Sequence, residues 1–107
     1  MKIWIDDVRP APDGYLWCKS VNEALRNIIL IHKDDITLID LDHDAGDFAE
    51  MGGDFINVLN ELERLSRRDS YWYNRCKEFT FKLHSMNPVG IENMRRIIQR
   101  NNWNEIK

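Results

Sequence analysis

The segment Ile36-Thr37-Leu38-Ile39-Asp40-Leu41 constrains the fold more than any other stretch of the chain. It is almost continuously apolar and rich in β-branched residues, the character of a strand buried on both faces, as in a parallel sheet covered by helices. Stretches of helical spacing flank it. On the amino side, Ser20-Val21-Asn22-Glu23 reads as a capping box, in which the serine hydroxyl accepts from the third helical N–H and the glutamate returns a bond to the cap. Ala24, Leu25, Ile28 and Ile29 then share one face, and Asp34-Asp35 stops the helix. On the carboxyl side, Phe55, Val58, Leu59, Leu62 and Leu65 mark a second amphipathic helix.

The rest of the chain repeats the alternation. Met1 to Ile5 reads as a short strand ending at Asp6-Asp7, and Leu16 to Lys19 as another. Between them Pro10, Pro12 and Gly14 make Val8 to Tyr15 a loop, because three breakers in so short a stretch oppose a helix. Phe79 to Leu83 alternates as a further strand that empties into His84-Ser85-Met86-Asn87. Asn87 caps a third helix with Pro88 in its first turn and Ile91, Met94, Ile97 and Ile98 inward. Strands and helices in alternation predict right-handed crossovers that build one parallel sheet. At 107 residues the chain has the length of a single domain, residues 1–107.

Composition closes off several classes. With 43% hydrophobic and 31% charged residues the chain is far from the disordered corner. No apolar run approaches the roughly 18 residues of a membrane span. Asp6 and Asp7 also fall where a signal peptide would be apolar, so a soluble, cytoplasmic protein without membrane contact is expected. Cys18 and Cys76 show no zinc or redox spacing and read as two reduced thiols. The net charge is −3, but residues 1–54 carry 5 Lys+Arg against 12 Asp+Glu and residues 55–107 carry 10 against 6. An acidic half beside a basic half suits a metal site with an anionic substrate drawn towards it, and equally a scatter of solvated charge.

Three strands hand over to polar residues at their carboxyl ends: Asp6-Asp7, Asp40 to Asp44, and His84 to Asn87. The carboxyl edge of an open α/β sheet is where ligands bind, at the point where strand order reverses. Each cluster alone has a plain structural explanation as loop acid, turn histidine or helix cap. Together they predict one site. Crowded carboxylates repel one another and either protonate or hold a cation, and hard oxygen donors without thiolate suit Mg²⁺ or Mn²⁺. Asp6, Asp7, Asp42 and Asp44 are the candidate metal ligands, with a zinc site drawing on His43 and His84 as the alternative. Ser85, Asn87 and the N-terminus of the third helix would cradle a phosphate, and Arg9 would clamp it through its guanidinium fork. Strand alternation places Asp40 and Asp42 on the same side, and Asp42 lies nearer the carboxyl end.

A strand ending in Asp6-Asp7, the Ser20-Val21-Asn22-Glu23-Ala24-Leu25 helix, the Ile36-Thr37-Leu38-Ile39-Asp40-Leu41-Asp42 strand and a fourth strand ending in the hydroxyl residue Ser85 together resemble the receiver domains of two-component signalling. Asp6-Asp7-Val8-Arg9-Pro10, Leu41-Asp42-His43-Asp44 and His84-Ser85-Met86-Asn87-Pro88-Val89-Gly90, the last followed by Glu92-Asn93-Met94, carry the likeness further. The likeness is stronger to a divergent branch, the cyclic-phosphate-processing receiver-like domains, and it covers most of the chain. What the resemblance implies is an α/β, flavodoxin-like three-layer fold with a mostly parallel sheet of four to five strands, truncated at its C-terminus. It also implies a hydrolase acting on a cyclic phosphate, either a 2′,3′-cyclic end of nucleic acid or a cyclic nucleotide. The chain departs from an ordinary receiver in the Pro/Gly loop after the first strand, where a helix belongs. Only Trp103 to Lys107 remains for the fifth strand, its terminal lysine and the fifth helix of an ordinary receiver, with Lys107 the stand-in for that lysine.

The expected chemistry is metal-assisted phosphodiester hydrolysis, with Asp42 at the metal, His43 or His84 moving protons, and Ser85 and Asn87 binding phosphoryl oxygens. A phosphorylatable receiver with Asp40 or Asp42 as acceptor, and a non-catalytic module that binds a phosphorylated ligand or protein, are the alternatives. Arg64, Arg67, Arg68, Tyr71, Trp72, Tyr73, Arg75 and Lys77 combine charge with stacking faces, as single-stranded nucleic-acid binding requires, or form a solvated helix end with core aromatics.

Overall fold

The computed structural model describes residues 1–107. Five strands, β1 (Lys2–Ile5), β2 (Tyr15–Cys18), β3 (Leu38–Leu41), β4 (Thr80–Leu83) and β5 (Asn104–Ile106), form one sheet in the order β2-β1-β3-β4-β5, with every neighbouring pair parallel. This is the flavodoxin-like, receiver-like order. Successive strands run outwards from β1 to one edge and then from β3 to the other. The reversal lies between β1 and β3, and there the carboxyl ends open a crevice.

Helix α1 (Val21–Leu25) begins where the capping box predicts, with Ser20 Oγ accepting from Glu23 N at 3.0 Å. The return bond runs from Lys19 N to Glu23 Oε1 at 2.8 Å, one residue ahead of the cap. From Arg26 to Ile31 the helix widens to π geometry, and it ends at His32 rather than at Asp34-Asp35. A 3₁₀ helix covers Gly46–Met51, and α2 (Ile56–Ser66) follows on the predicted stripe.

One helix escapes the sequence pattern. Helix α3 (Ser70–Glu78) starts at Asp69, whose carboxylate accepts from Tyr71 N and Trp72 N. It sends Trp72 and Cys76 into the core. Its Arg75 is buried as well, with Nε donating to Lys33 O at 2.7 Å and Nη2 to Ile36 O at 2.5 Å. Two of the residues that suggested a nucleic-acid surface, Trp72 and Arg75, are therefore structural. Arg64 and Arg67 pair with Glu61 and Glu63, and the Tyr71 hydroxyl donates to Asp34, which engages three of the other six. Helix α4 (Pro88–Arg100) opens on its Asn87 cap, and the chain ends in β5 with no fifth helix. No helix is long and apolar enough to cross a membrane.

The core lies on one side of the sheet. Ile3, Ile5, Cys18, Ile39, Leu41 and Phe81 all point to the same face, and all are fully buried against residues of α1, α2, α3 and α4. The opposite face carries Trp4, Tyr15, Trp17, Leu38, Thr80 and Lys82, none of which belongs to that core. There the Pro/Gly loop takes the place of a helix: the Trp4 indole donates to Arg9 O at 2.8 Å and the Trp17 indole to Asp6 O at 2.7 Å.

Candidate functional site

The backbone ladder runs one residue past the strands, and this brings the polar clusters together. Asp42 N donates to Ile5 O at 2.9 Å and His84 N to Leu41 O at 3.0 Å, so the residues that leave β1, β3 and β4 stand side by side. Asp6 sits at the centre with no exposed surface. Its Oδ1 accepts from Val8 N and Arg9 N, both at 2.9 Å, and its Oδ2 faces His84 Nε2 at 2.9 Å. Burial pushes this carboxyl up. The bonds from Arg9, Val8 and His84 outweigh burial and hold it below the ordinary carboxylate range.

Asp7 goes the other way. Burial first, and then the neighbouring charges of Asp6 and Asp42, push its carboxyl above the ordinary range. Asp6, Asp7 and Asp42 each offer a carboxylate oxygen within 4.8 Å of the others. Such a donor set, all hard oxygen with no sulfur and with one member strained by its neighbours' charge, fits a divalent cation of the Mg²⁺ or Mn²⁺ kind. Gly46 makes the cluster possible, because its φ of +55° suits glycine and a Cβ there would lie 2.2 Å from Asp7 Oδ2.

The structure separates the two aspartates that alternation could not. Asp42 joins the trio, and its Oδ1 also accepts from His43 N at 2.8 Å. Asp40 is 3% exposed and faces His84 Nδ1 at 2.6 Å. Both ring nitrogens of His84 thus meet buried carboxylates, which are satisfied together when each nitrogen carries a hydrogen. The ring also stacks on Trp4 at 3.7 Å and 8°. A general base must reach the proton it takes, and His84 has no nitrogen turned outwards.

His43 is freer. Its Nδ1 meets Asp44 Oδ1 at 2.7 Å, which leaves Nε2 open, and the ring rests on Gly90, where a Cβ would come within 2.4 Å of His43 Cγ. Asp44 stands outside the trio. With His43 and Asp54 it forms a second group of potential ligands, and Asn87 Nδ2 approaches its Oδ1 at 3.4 Å. Asp54 lies outside the strand-end clusters, and its position after Gly52-Gly53 at the mouth of α2 is the signal that marks it. Asn87 Oδ1 caps α4 at Gly90 N, 2.9 Å away, and Ser85 Oγ accepts from Asn87 N at 3.1 Å. The Ser85 hydroxyl keeps its hydrogen for another acceptor. Arg9, with its side chain 46% exposed, brings Nε to 3.9 Å from Asp6 Oδ2. The site is an open rim, and no residue of it lines any of the three surface cavities.

A parallel sheet in this order, with carboxylates where β1 and β3 end and a hydroxyl where β4 ends, is the arrangement of a receiver. The family model described as cyclic-phosphate processing receiver domain matches residues 1–100. The chain belongs to that family. The match takes in every residue of the site, and β5 falls just beyond it. No curated protein and no solved structure matches this receiver domain.

Proposed function

We propose that this receiver domain hydrolyses a cyclic phosphodiester, either a 2′,3′-cyclic phosphate end or a cyclic nucleotide, with a divalent cation held by Asp6, Asp7 and Asp42. The observation that supports it is the convergence of those three carboxylates beside a histidine with one free nitrogen. When bound, the cation supplies Lewis-acid polarisation of a phosphoryl oxygen and lowers the proton affinity of water. The protein does the rest. Arg9 and the Ser85 hydroxyl hold the non-bridging oxygens through bonds that strengthen as negative charge builds up on them. His43 Nε2 takes a proton from the attacking water as its oxygen bonds to phosphorus, and returns that proton to the alkoxide released when one P–O ester bond breaks. The product is a phosphomonoester with a free hydroxyl. His84 braces Asp6 and Asp40, and Asn87 holds Ser85 and the start of α4.

The test is turnover of 2′,3′-cyclic nucleotides and cyclic oligonucleotides with Mg²⁺, with Mn²⁺ and with EDTA. Metal-dependent phosphomonoester is expected, lost in Asp42→Ala and reduced about 10²- to 10⁴-fold in His43→Ala. Absence of metal-dependent product refutes the hydrolase, and an acid-labile adduct after acetyl phosphate treatment would instead make Asp42 a phosphoacceptor.

A further inference from the structure

The helix-free face of the sheet carries an ordered row of aromatic and basic side chains. Trp4 is in register with Trp17 on one side and Asp40 on the other, and Asp40 with Lys82; the next row back pairs Tyr15 with Lys2, Lys2 with Leu38 and Leu38 with Thr80. Alternation puts all of these on one face. Tyr15 meets Trp4 edge-on at 6.0 Å, and Trp4 stacks on His84, so the row leads into the rim site. Lys19 Nζ lies 4.3 Å from the centre of the Trp17 ring and Lys2 Nζ 5.3 Å from that of Tyr15, while Lys82 is exposed. Asp40 is the one acid in these rows, and it is buried against His84.

We infer that this face binds single-stranded nucleic acid whose terminal phosphate occupies the rim site. The inference rests on the proposed function for the position of the phosphate, and on the sheet alone for the strand. Unpaired bases stack on aromatic rings irrespective of sequence, and lysines alongside neutralise the phosphates between them. Open sheets with aromatic side chains bind RNA in this manner. The indole N–H groups of Trp4 and Trp17 are already bonded to backbone carbonyls, so the rings are fixed before a base arrives and less ordering is lost on binding. A duplex offers no exposed base faces.

The experiment measures fluorescence anisotropy of a labelled RNA of about eight nucleotides, within the roughly 4 to 16 that one OB-fold covers. It compares the single strand with its duplex, and a 3′-phosphate with a 3′-hydroxyl. Trp17→Ala is expected to weaken single-strand binding at least about fivefold, the lower end for one stacked base. Trp17→Phe is expected to retain most of the affinity, which separates lost stacking from a damaged fold. Lys82→Glu is expected to weaken binding and flatten its salt dependence. Equal affinity across these variants, binding of duplex as tight as single strand, or a face-to-face dimer that RNA does not dissociate would overturn the inference. A 2′,3′-cyclic mononucleotide assay keeps the two readings apart. RNA binding that depends on Trp17 without mononucleotide turnover leaves the surface standing and removes the hydrolase. Turnover with no fall in KM from mononucleotide to oligonucleotide does the reverse.

Discussion

Replacing His84 with alanine tests whether this histidine is a brace or a proton carrier. The ring is the counter-group for two carboxylates at once, Asp6 with no exposed surface and Asp40 with 3%. Breaking a buried pair by removing one partner costs about 3 to 5 kcal/mol, because the remaining charge has neither water nor partner. Losing the stack on Trp4 adds about 0.5 to 1.5 kcal/mol. A total of about 3.5 to 6.5 kcal/mol is large against the about 5 to 15 kcal/mol that holds a small domain together. Urea unfolding in EDTA, followed by circular dichroism, should therefore place His84→Ala close to the limit of folding at neutral pH. His43→Ala supplies the contrast. Its partner Asp44 has a side chain 59% exposed, and such a pair contributes about 1 kcal/mol or less. A His84→Ala loss below about 1 kcal/mol, or one no larger than that of His43→Ala, would show that the carboxylates do not depend on the ring.

Glu63 joins α2 to the end of α4 through Arg100 and Asn101, and the Arg100 hydrogen bonds, against an opposing push from burial, hold its carboxyl down to about 2. Because the folded value is depressed, the stabilisation is present above the ordinary carboxylate range and is lost as pH falls from there through about 2. Arg100 is half exposed, so Glu63→Gln is expected to cost only about 1 kcal/mol at neutral pH and almost nothing near the acid limit; a gap that stays constant with pH would contradict this. Gly90→Ala is expected to displace the His43 ring, visible in its NMR signals, while helix content is kept, and an unmoved ring would show that the contact is slack. Burial pushes the thiols of Cys18 and Cys76 up to about 12, so both should resist a thiol reagent in the folded protein and react on unfolding; rapid reaction of either would place it nearer the surface.

The elements that were legible from sequence are those whose local signals agree. Ser20 and Asn87 cap where capping chemistry requires, and the stripe from Phe55 buries as its spacing dictates; on α4 Met94, Ile97 and Ile98 reach the core as expected, but Ile91 stays outside it and lines a surface cavity. Helix α3 was hidden because Tyr71, Trp72 and Tyr73 are consecutive, so only one of the three turns inwards and no stripe stands out. Its Asp69 cap was the readable sign. Strand β5 has three residues, too few to show alternation, and is held by pairing with β4. In the site, the end-of-strand clusters were visible as a pattern, but the division of labour was not. That Asp40 belongs to His84 while Asp42 joins Asp6 and Asp7 depends on pairings across 44 and 78 residues of chain, which no local rule encodes.

The sheet, one backbone thick, works as a partition between two kinds of selection. On the helical side every substitution is judged by how it packs, since Ile3, Ile5, Ile39 and Phe81 have no surface to spare. On the other side, Trp4 and Asp40 apart because they hold His84, the same strands present side chains that can change with little effect on that packing. A chain built in this way can alter what it recognises without renegotiating how it folds. Scans of stability and of ligand affinity across β1 to β4 should accordingly peak at alternate positions.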